Sequence, residues 1–206
     1  QCHQASDGLF DITSGVLRKV WEFNPNAVIP TQIEIEELLP LVCWKSVNWN
    51  STSIQLKPMM ELDFGGIGKE YAADRVLLRL TESNHQPYLV NLGGDIATNG
   101  ALFSEHEWRV GVEAISDQLV NNVLHLKEGA VATSGDSRRY LLSKGIRYSH
   151  ILNPHTGWPI ENAPHSITVM APSCVQAGML SSLALLQGEN AESFLQDMDV
   201  QYWSQR

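Results

Sequence analysis

The chain has 206 residues, 43% of them hydrophobic and 18% charged, with a formal charge of -9. That length supports one substantial core; no apolar run approaches the roughly 18 residues of a membrane span, and the negative balance, without any lysine or arginine cluster, argues against a nucleic-acid partner. Cys2, Cys43 and Cys174 lack CxxC spacing, so neither a zinc knuckle nor a disulfide framework is expected, and the redox compartment stays open.

In "PTQIEIEELLPLV", Thr31 is followed three residues later by Glu34 and by apolar Ile33, Leu38 and Leu39, which predicts a surface helix opened by a capping box. "LDFGGIGKEYAADRV" reads as strand, glycine loop and amphipathic helix. In that helix Ala73, Val76, Leu77 and Leu80 form the apolar face, and Asp74, Arg75 and Arg79 the other side. Runs rich in β-formers follow at Tyr88 to Leu92, Trp108 to Glu113, Leu124 to Leu126, Ala130 to Thr133, Arg147 to Leu152 and Ser166 to Met170. From Ser173, an N-cap, "SCVQAGMLSSLALLQG" predicts a buried helix closed by Gly188. Strand, loop and helix thus occur twice, at Glu61 to Leu80 and Ser166 to Gly188, which hints at an internal duplication.

Several stretches carry candidate chemistry. The "GGIGKE" turn would present free N–H groups, a helix start and Lys69 to a phosphate, or simply pack helix on strand; it fits neither the Walker spacing nor GxGxxG. "NLGGDI" puts Asn91, Gly93, Gly94 and Asp95 at a strand end, where glycines admit a ligand or form a bulge. "VATSGDSRRY" gathers hydroxyls, Asp136, Arg138 and Arg139, suited to a pyrophosphate or to surface ion pairs. "YSHILNPHTGWP" places His150 inside an apolar strand, its imidazole buried at one edge of a cleft or satisfied by a backbone carbonyl in the core. His150, His155 and His165 lack any zinc-ligand spacing.

Taken together and in order, "DGLFDIT", "LDFGGIGKEYAADR", "NLGGDI", "WRVGVE", "ATSGDSRRY", "SHILNPHTGWPI", "ITVMAPS" and "LSSLALLQG" resemble the ApbE-like FAD:protein FMN transferases, from about Asp7 to Gly188. The resemblance implies an α+β, T-fold-like domain with mixed or antiparallel sheets packed on helices, residues 1–206 forming one such domain without the family's N-terminal segment. It further implies an enzyme that binds FAD and, with Mg2+, moves FMN onto a Thr or Ser of a target protein, releasing AMP. The acceptor would be a subunit of a membrane redox pump, and the enzyme would act in the periplasm or elsewhere outside the cytoplasm. Members of the family are often lipoproteins, and the resemblance implies a membrane-anchored form before processing; the residues themselves leave open what precedes Gln1. A non-catalytic flavin-binding relative and a hydrolase giving FMN and AMP are the alternatives.

Carried over residue by residue, Leu9, Phe10 and Asp11 would line the flavin site, and Asp63, Lys69, Thr133 and the Leu152 backbone would contact FAD. The Gly66 carbonyl would bind the metal. His150 would be the catalytic base, a role that an ordinary imidazole pKa of about 6.5 suits. Two substitutions depart from the pattern. "GMLSS" stands where the family has "DALST", so Gly178 replaces a metal-binding Asp and leaves Ser181 and Ser182 hydroxyls beside Gly66, a weakened Mg2+ site. "GKEYA" stands for "GKGYA", with Glu70 putting a carboxylate beside the expected phosphate. Restored or increased turnover in a Gly178→Asp variant would show that the missing carboxylate limits the site.

Overall fold

A computed structural model describes residues 2–24, 26–101, 107–115, 123–137 and 139–206. In chain order they form α1 (Cys2–Ala5), a 3-10 helix (Ile12–Lys19), α2 (Gln32–Leu38), β1 (Asn48–Trp49), β2 (Ile54–Gln55), α3 (Gly68–Ser83), β3 (Leu89–Leu92), β4 (Asp95–Thr98), β5 (Trp108–Gly111) and β6 (Val123–Leu126). Then come β7 (Gly129–Gly135), β8 (Tyr140–Ser143), β9 (Ile146–Ser149), β10 (Ser166–Ala171), α4 (Cys174–Leu186), α5 (Ala191–Asp197) and β11 (Tyr202–Gln205). Helices alternate with antiparallel pairs, the α+β class expected. Two compact units result, Gln1–Phe64 with Arg138–Glu161, and Gly65–Ser137 with Asn162–Arg206.

The first unit is built on Val16, Leu17, Trp21, Ile35 and Leu141. Trp21 donates its indole N–H to the Gly157 carbonyl at 2.8 Å and meets Trp158 edge-on at 5.4 Å, so its polar end is satisfied while the ring stays buried. The capping box forms in both directions: Thr31 Oγ accepts from the Glu34 N–H, and the Thr31 N–H donates to the Glu34 side chain. Ile33, one of the apolar residues that mark this helix in the sequence, is 69% exposed, whereas Ile35 is fully buried. The cap sets the helix phase, and the fourth helical position is the one a capped first turn packs inward.

Two expected strands are corrected. Leu62 to Phe64 form no ladder; the Asp63 N–H donates to the Ile12 carbonyl at 2.8 Å, to a 3-10 helix rather than to a strand. The run through Leu152 stops at Ser149, because Gly157 N–H bonds the Asn153 carbonyl at 2.8 Å and Asn153 N–H the Trp158 carbonyl at 2.7 Å. These local bonds of the "NPHTG" turn take up the backbone that a ladder would use, leaving one bridge, Leu152 to Pro159. Gly157 has φ +72, and a Cβ there would lie 2.3 Å from Ile35 Cγ2, so only glycine serves.

The second unit centres on a five-stranded sheet in the order β11-β10-β7-β4-β3, every pair antiparallel. Period-two alternation sorts its side chains. Val90, Ala97, Ala130 and Ala132 pack with Ala73 of α3 and with Cys174 and Ala177 of α4, small residues that let both helices lie close to the sheet. Ile96, Val131, Met170 and Trp203 pack instead with Val110, Leu124 and Leu126 of the β5–β6 hairpin. α4 starts at an N-cap formed by Ser173 and is followed by Gly188 at φ +61, as its sequence indicates. Asp74, expected on the solvent side of α3, accepts from the Cys174 and Val175 N–H groups at 2.8 and 3.0 Å. The unpaired amides of the first turn of α4 draw the carboxylate inward.

At the edge, Glu192 of α5 accepts from Ser204 Oγ at 2.7 Å and from Arg206 Nε at 2.9 Å. The Arg206 hydrogen bonds, opposed by partial burial and helped by Ser204, hold the Glu192 carboxyl down from 4.5 to about 2. A carboxyl depressed in the folded state contributes stability that is complete above its unfolded pKa and is lost as the pH falls through the folded one. Glu192→Gln should therefore cost roughly 1 kcal/mol at pH 7, the partly exposed guanidinium being screened by water. In urea titrations that difference should shrink progressively once the pH drops below 4.5; an equal cost at pH 7 and pH 3 would contradict the assignment.

Candidate functional site

The first unit positions six of the sequence-derived residues: Leu9, Phe10, Asp11, Asp63, His150 and Leu152. Leu9 and Phe10 lie half-buried on a turn tied by buried Ser6, whose carbonyl accepts from Leu9 N–H at 2.9 Å and whose hydroxyl accepts from Phe10 N–H at 2.8 Å. The Asp11 carboxylate is engaged within the fold: Oδ1 takes Thr13 N–H at 2.8 Å and Thr13 Oγ1 at 2.6 Å, and Oδ2 takes Trp44 N–H at 3.1 Å. Any contribution it makes to a flavin pocket is thus to hold the neighbouring turn. Asp63 is exposed, and its backbone comes so close to Gly15 that a Cβ on Gly15 would stand 2.9 Å from Asp63 Cβ and 3.1 Å from its N. Gly15 therefore fixes where Asp63 sits; nothing in the sequence singled it out.

His150 follows directly on β9 and is half-buried, not enclosed in an apolar strand as its flanking residues indicated; the early end of β9 is the reason. Its Nδ1 lies 3.0 Å from the Arg139 carbonyl. A carbonyl only accepts, so Nδ1 carries the proton and Nε2 is the basic nitrogen of the neutral ring. The Phe23 ring stands edge-on to the imidazole at 6.1 Å, and the Arg139 guanidinium lies 5.8 Å from the centroid of the same ring. Arg139 thus contributes a carbonyl and a cation–π contact, and Arg138 lies outside the described residues. Leu152, two residues on, keeps its backbone in the bridge to Pro159.

In the second unit, Gly66 adopts φ +77 in the turn before α3, a conformation that presents its carbonyl as no β-carbon-bearing residue would readily do. Lys69 forms an ion pair with Asp95, whose side chain is buried. Burial pulls the Lys69 ammonium pKa down, but the hydrogen bond and charge of Asp95, with Glu70 adding to them, reverse this and leave it raised. The other Asp95 oxygen lies 3.4 Å from the Thr133 amide, and Thr133 Oγ1 lies 2.8 Å from Thr168 Oγ1. Asp95 therefore joins two residues that the sequence assigned separately to the nucleotide. Its place after the left-handed glycines Gly93 and Gly94 was the available signal, equally readable as a plain bulge.

Glu70 is the main correction. Its carboxylate was expected beside the phosphate; it is instead 3% exposed and turned toward Gly178, since a Cβ on Gly178 would lie 2.5 Å from Glu70 Cγ and 2.9 Å from Oε1. Burial raises the Glu70 pKa, Asp95 pushing the same way and backbone N–H groups and Lys69 opposing. A lone aspartate at position 178 would collide with this side chain, so Gly178→Asp tests the missing carboxylate cleanly only with Glu70 shortened as well. Next to Gly178 runs a chain of hydroxyls. Ser181 Oγ donates to the Gly178 carbonyl at 3.0 Å, which commits its proton. Ser134 must then donate to Ser181 at 2.8 Å, and Ser182 to Ser134 at 3.0 Å. Ser181 is fully buried and engaged at both ends, whereas Ser182 ends the chain with its oxygen lone pairs uncommitted to it.

Among the described residues no three His, Cys, Asp or Glu side chains converge as a metal cluster.

A family profile described as the ApbE family matches residues 1–203. The chain is 32% identical over 191 residues to a FAD:protein FMN transferase of Vibrio cholerae, covering 89% of this chain and 57% of that protein. It is 31% identical over 183 residues to the Escherichia coli protein of the same description, covering 84% and 52%. It thus spans little more than half the length of these relatives. Among solved structures, the ApbE protein of Thermotoga maritima superposes with a TM-score of 0.86 at 32% identity, over 98% of this chain and 69% of that one. The apo flavinyl transferase ApbE of Pseudomonas stutzeri gives 0.86 at 29% identity, over 99% and 65%.

Proposed function

The chain belongs to the ApbE family, and from that premise we propose that it transfers the FMN half of FAD to a Thr or Ser hydroxyl of an acceptor protein, with AMP as the leaving group. The observation that carries this reading is that the family match over residues 1–203 takes in every candidate residue in both units. The acceptor oxygen forms a bond to the FMN-side phosphorus while the bond from that phosphorus to the bridging oxygen breaks, and AMP departs with that oxygen. The hydroxyl proton goes to His150 Nε2, which the Nδ1 contact to Arg139 keeps in the basic tautomer. Lys69 and the amides at the start of α3 balance charge on the diphosphate, and Asp95 sets the position of the ammonium. Leu9, Phe10, Asp63, Thr133 and Leu152 orient the nucleotide.

Oxygen donors are present for Mg2+ in the second unit: the Gly66 carbonyl, the Ser182 hydroxyl and, less readily, Ser181. Glu70 Oε2, buried without a hydrogen-bond partner among the described residues, marks a polar place that a cation fits. Such an ion, when bound, offsets the negative charge of the diphosphate oxygens. By family resemblance the acceptor is a subunit of a membrane redox pump and the reaction occurs outside the cytoplasm.

The test is incubation of the complete gene product with FAD, Mg2+ and a flavinylatable acceptor protein, scored by covalent flavin fluorescence in a denaturing gel and by AMP release. Modified acceptor and AMP in equal amounts are expected. AMP without an acceptor, or FAD binding with no AMP, would replace this reading by a hydrolase or a non-catalytic flavin binder.

A further inference from the structure

The pairing of Glu70 with Gly178 is the least ordinary feature of the second unit. A glutamate on α3 points its side chain at the one position of α4 where no β-carbon stands in its way, and Cγ, Cδ and Oε1 all come within 3.0 Å of where that carbon would be. We propose that Glu70 is the carboxylate this chain presents to the divalent cation of the transfer reaction, reaching from α3 into the space that Gly178 leaves open. The proposal rests on the FMN-transfer reading above and assigns the carboxylate which that reading leaves unassigned.

Three observations carry it. The first is the steric match: Glu70 and a side chain at 178 exclude each other, so the carboxylate occupies the space that an aspartate on α4 would enter. The second is the orphaned atom. Glu70 is 3% exposed and its Oε2 has no hydrogen-bond partner among the described residues. Backbone N–H groups reach the carboxylate, yet Oε2 itself accepts none of them, and if it carried a proton it would lack an acceptor for its O–H. A ligand from outside the chain satisfies the atom in a way that taking up a proton does not.

The third is the charge count. Asp95 and Glu70 are both buried, while Lys69, the ammonium that acts on both, is bound to Asp95. Asp74 is taken up by the first amides of α4. Among the described residues Glu70 forms no ion pair of its own, and a buried carboxylate stays ionised most readily when paired or coordinating a cation. The same unit holds further oxygen donors of the right kind, the Gly66 carbonyl in the turn leading into α3 and the serine hydroxyls of α4.

The experiment is a titration of the metal-stripped gene product with Mn2+, read by loss of the free-ion electron paramagnetic resonance signal, with and without FAD. Wild type should bind one Mn2+, and Glu70→Gln, which keeps the shape and removes the charge, should weaken that affinity at least about tenfold. Equal affinity in the two proteins, or no Mn2+ binding by wild type even with FAD, would overturn the proposal. Should Glu70→Gln not fold, the exchange variant Glu70→Gly/Gly178→Asp carries the same titration: affinity within about threefold of wild type supports a carboxylate in the shared space, and loss of binding refutes it. Mn2+ binding that depends on Glu70 in a protein that transfers no FMN would defeat the activity reading alone. FMN transfer with metal affinity indifferent to Glu70 would defeat this proposal alone.

Discussion

His150→Ala should lower the rate of FMN transfer by about two to four orders of magnitude, the usual range for removing a positioned general base. FAD affinity should change by less than about threefold, because the proposed role concerns the acceptor proton rather than nucleotide binding. The expectation follows from the tautomer. With Nδ1 at 3.0 Å from the Arg139 carbonyl, the ring has a fixed orientation, and its remaining nitrogen is the one able to take a proton. The edge-on Phe23 ring at 6.1 Å restrains the same imidazole from the side. Single-turnover flavinylation of the acceptor, with flavin fluorescence quenching for affinity, separates chemistry from binding. Transfer within tenfold of wild type would remove His150 from the mechanism; a matching loss of FAD affinity would recast it as a binding residue.

The second large effect is a coupling. Gly178→Asp alone should destabilise the protein by about 2 kcal/mol or more, the cost of forcing extra atoms into a filled space. For a chain of this size that corresponds to a melting temperature lower by roughly 4–8 °C. The Cβ would stand 2.5 Å from Glu70 Cγ, so Glu70 must leave its rotamer, and two buried carboxylates would then share one enclosure. Adding Glu70→Gly removes both the collision and the repulsion. The double variant should recover most of the loss, giving an interaction energy of at least about 1 kcal/mol in the double-mutant cycle. Thermal melts in excess EDTA measure this without any contribution from bound metal. Additive effects would show that the two positions do not share space, and the steric argument would fail with them.

The local elements were legible because their causes lie within one turn of the chain. Thr31 and Glu34 satisfy each other's backbone amides three residues apart, Ser173 caps the helix it begins, and period-two alternation gives one face of Val90, Ala97, Ala130 and Ala132 to the helices. The ApbE resemblance was legible for a similar reason, since motifs in a fixed order survive without knowledge of what touches what.

What a side chain does after folding depends on partners far along the chain. Asp74 reads as a solvent-side residue until α4, 100 residues on, brings amides that need an acceptor. Lys69 reads as a free phosphate ligand until Asp95 claims its ammonium. Glu70 and Gly178 read as two separate losses, one an intruding carboxylate and the other a missing one. Only the packing of α3 and α4 on one sheet makes them a matched pair, because steric exclusion and burial depend on distance in space, which residue spacing does not encode.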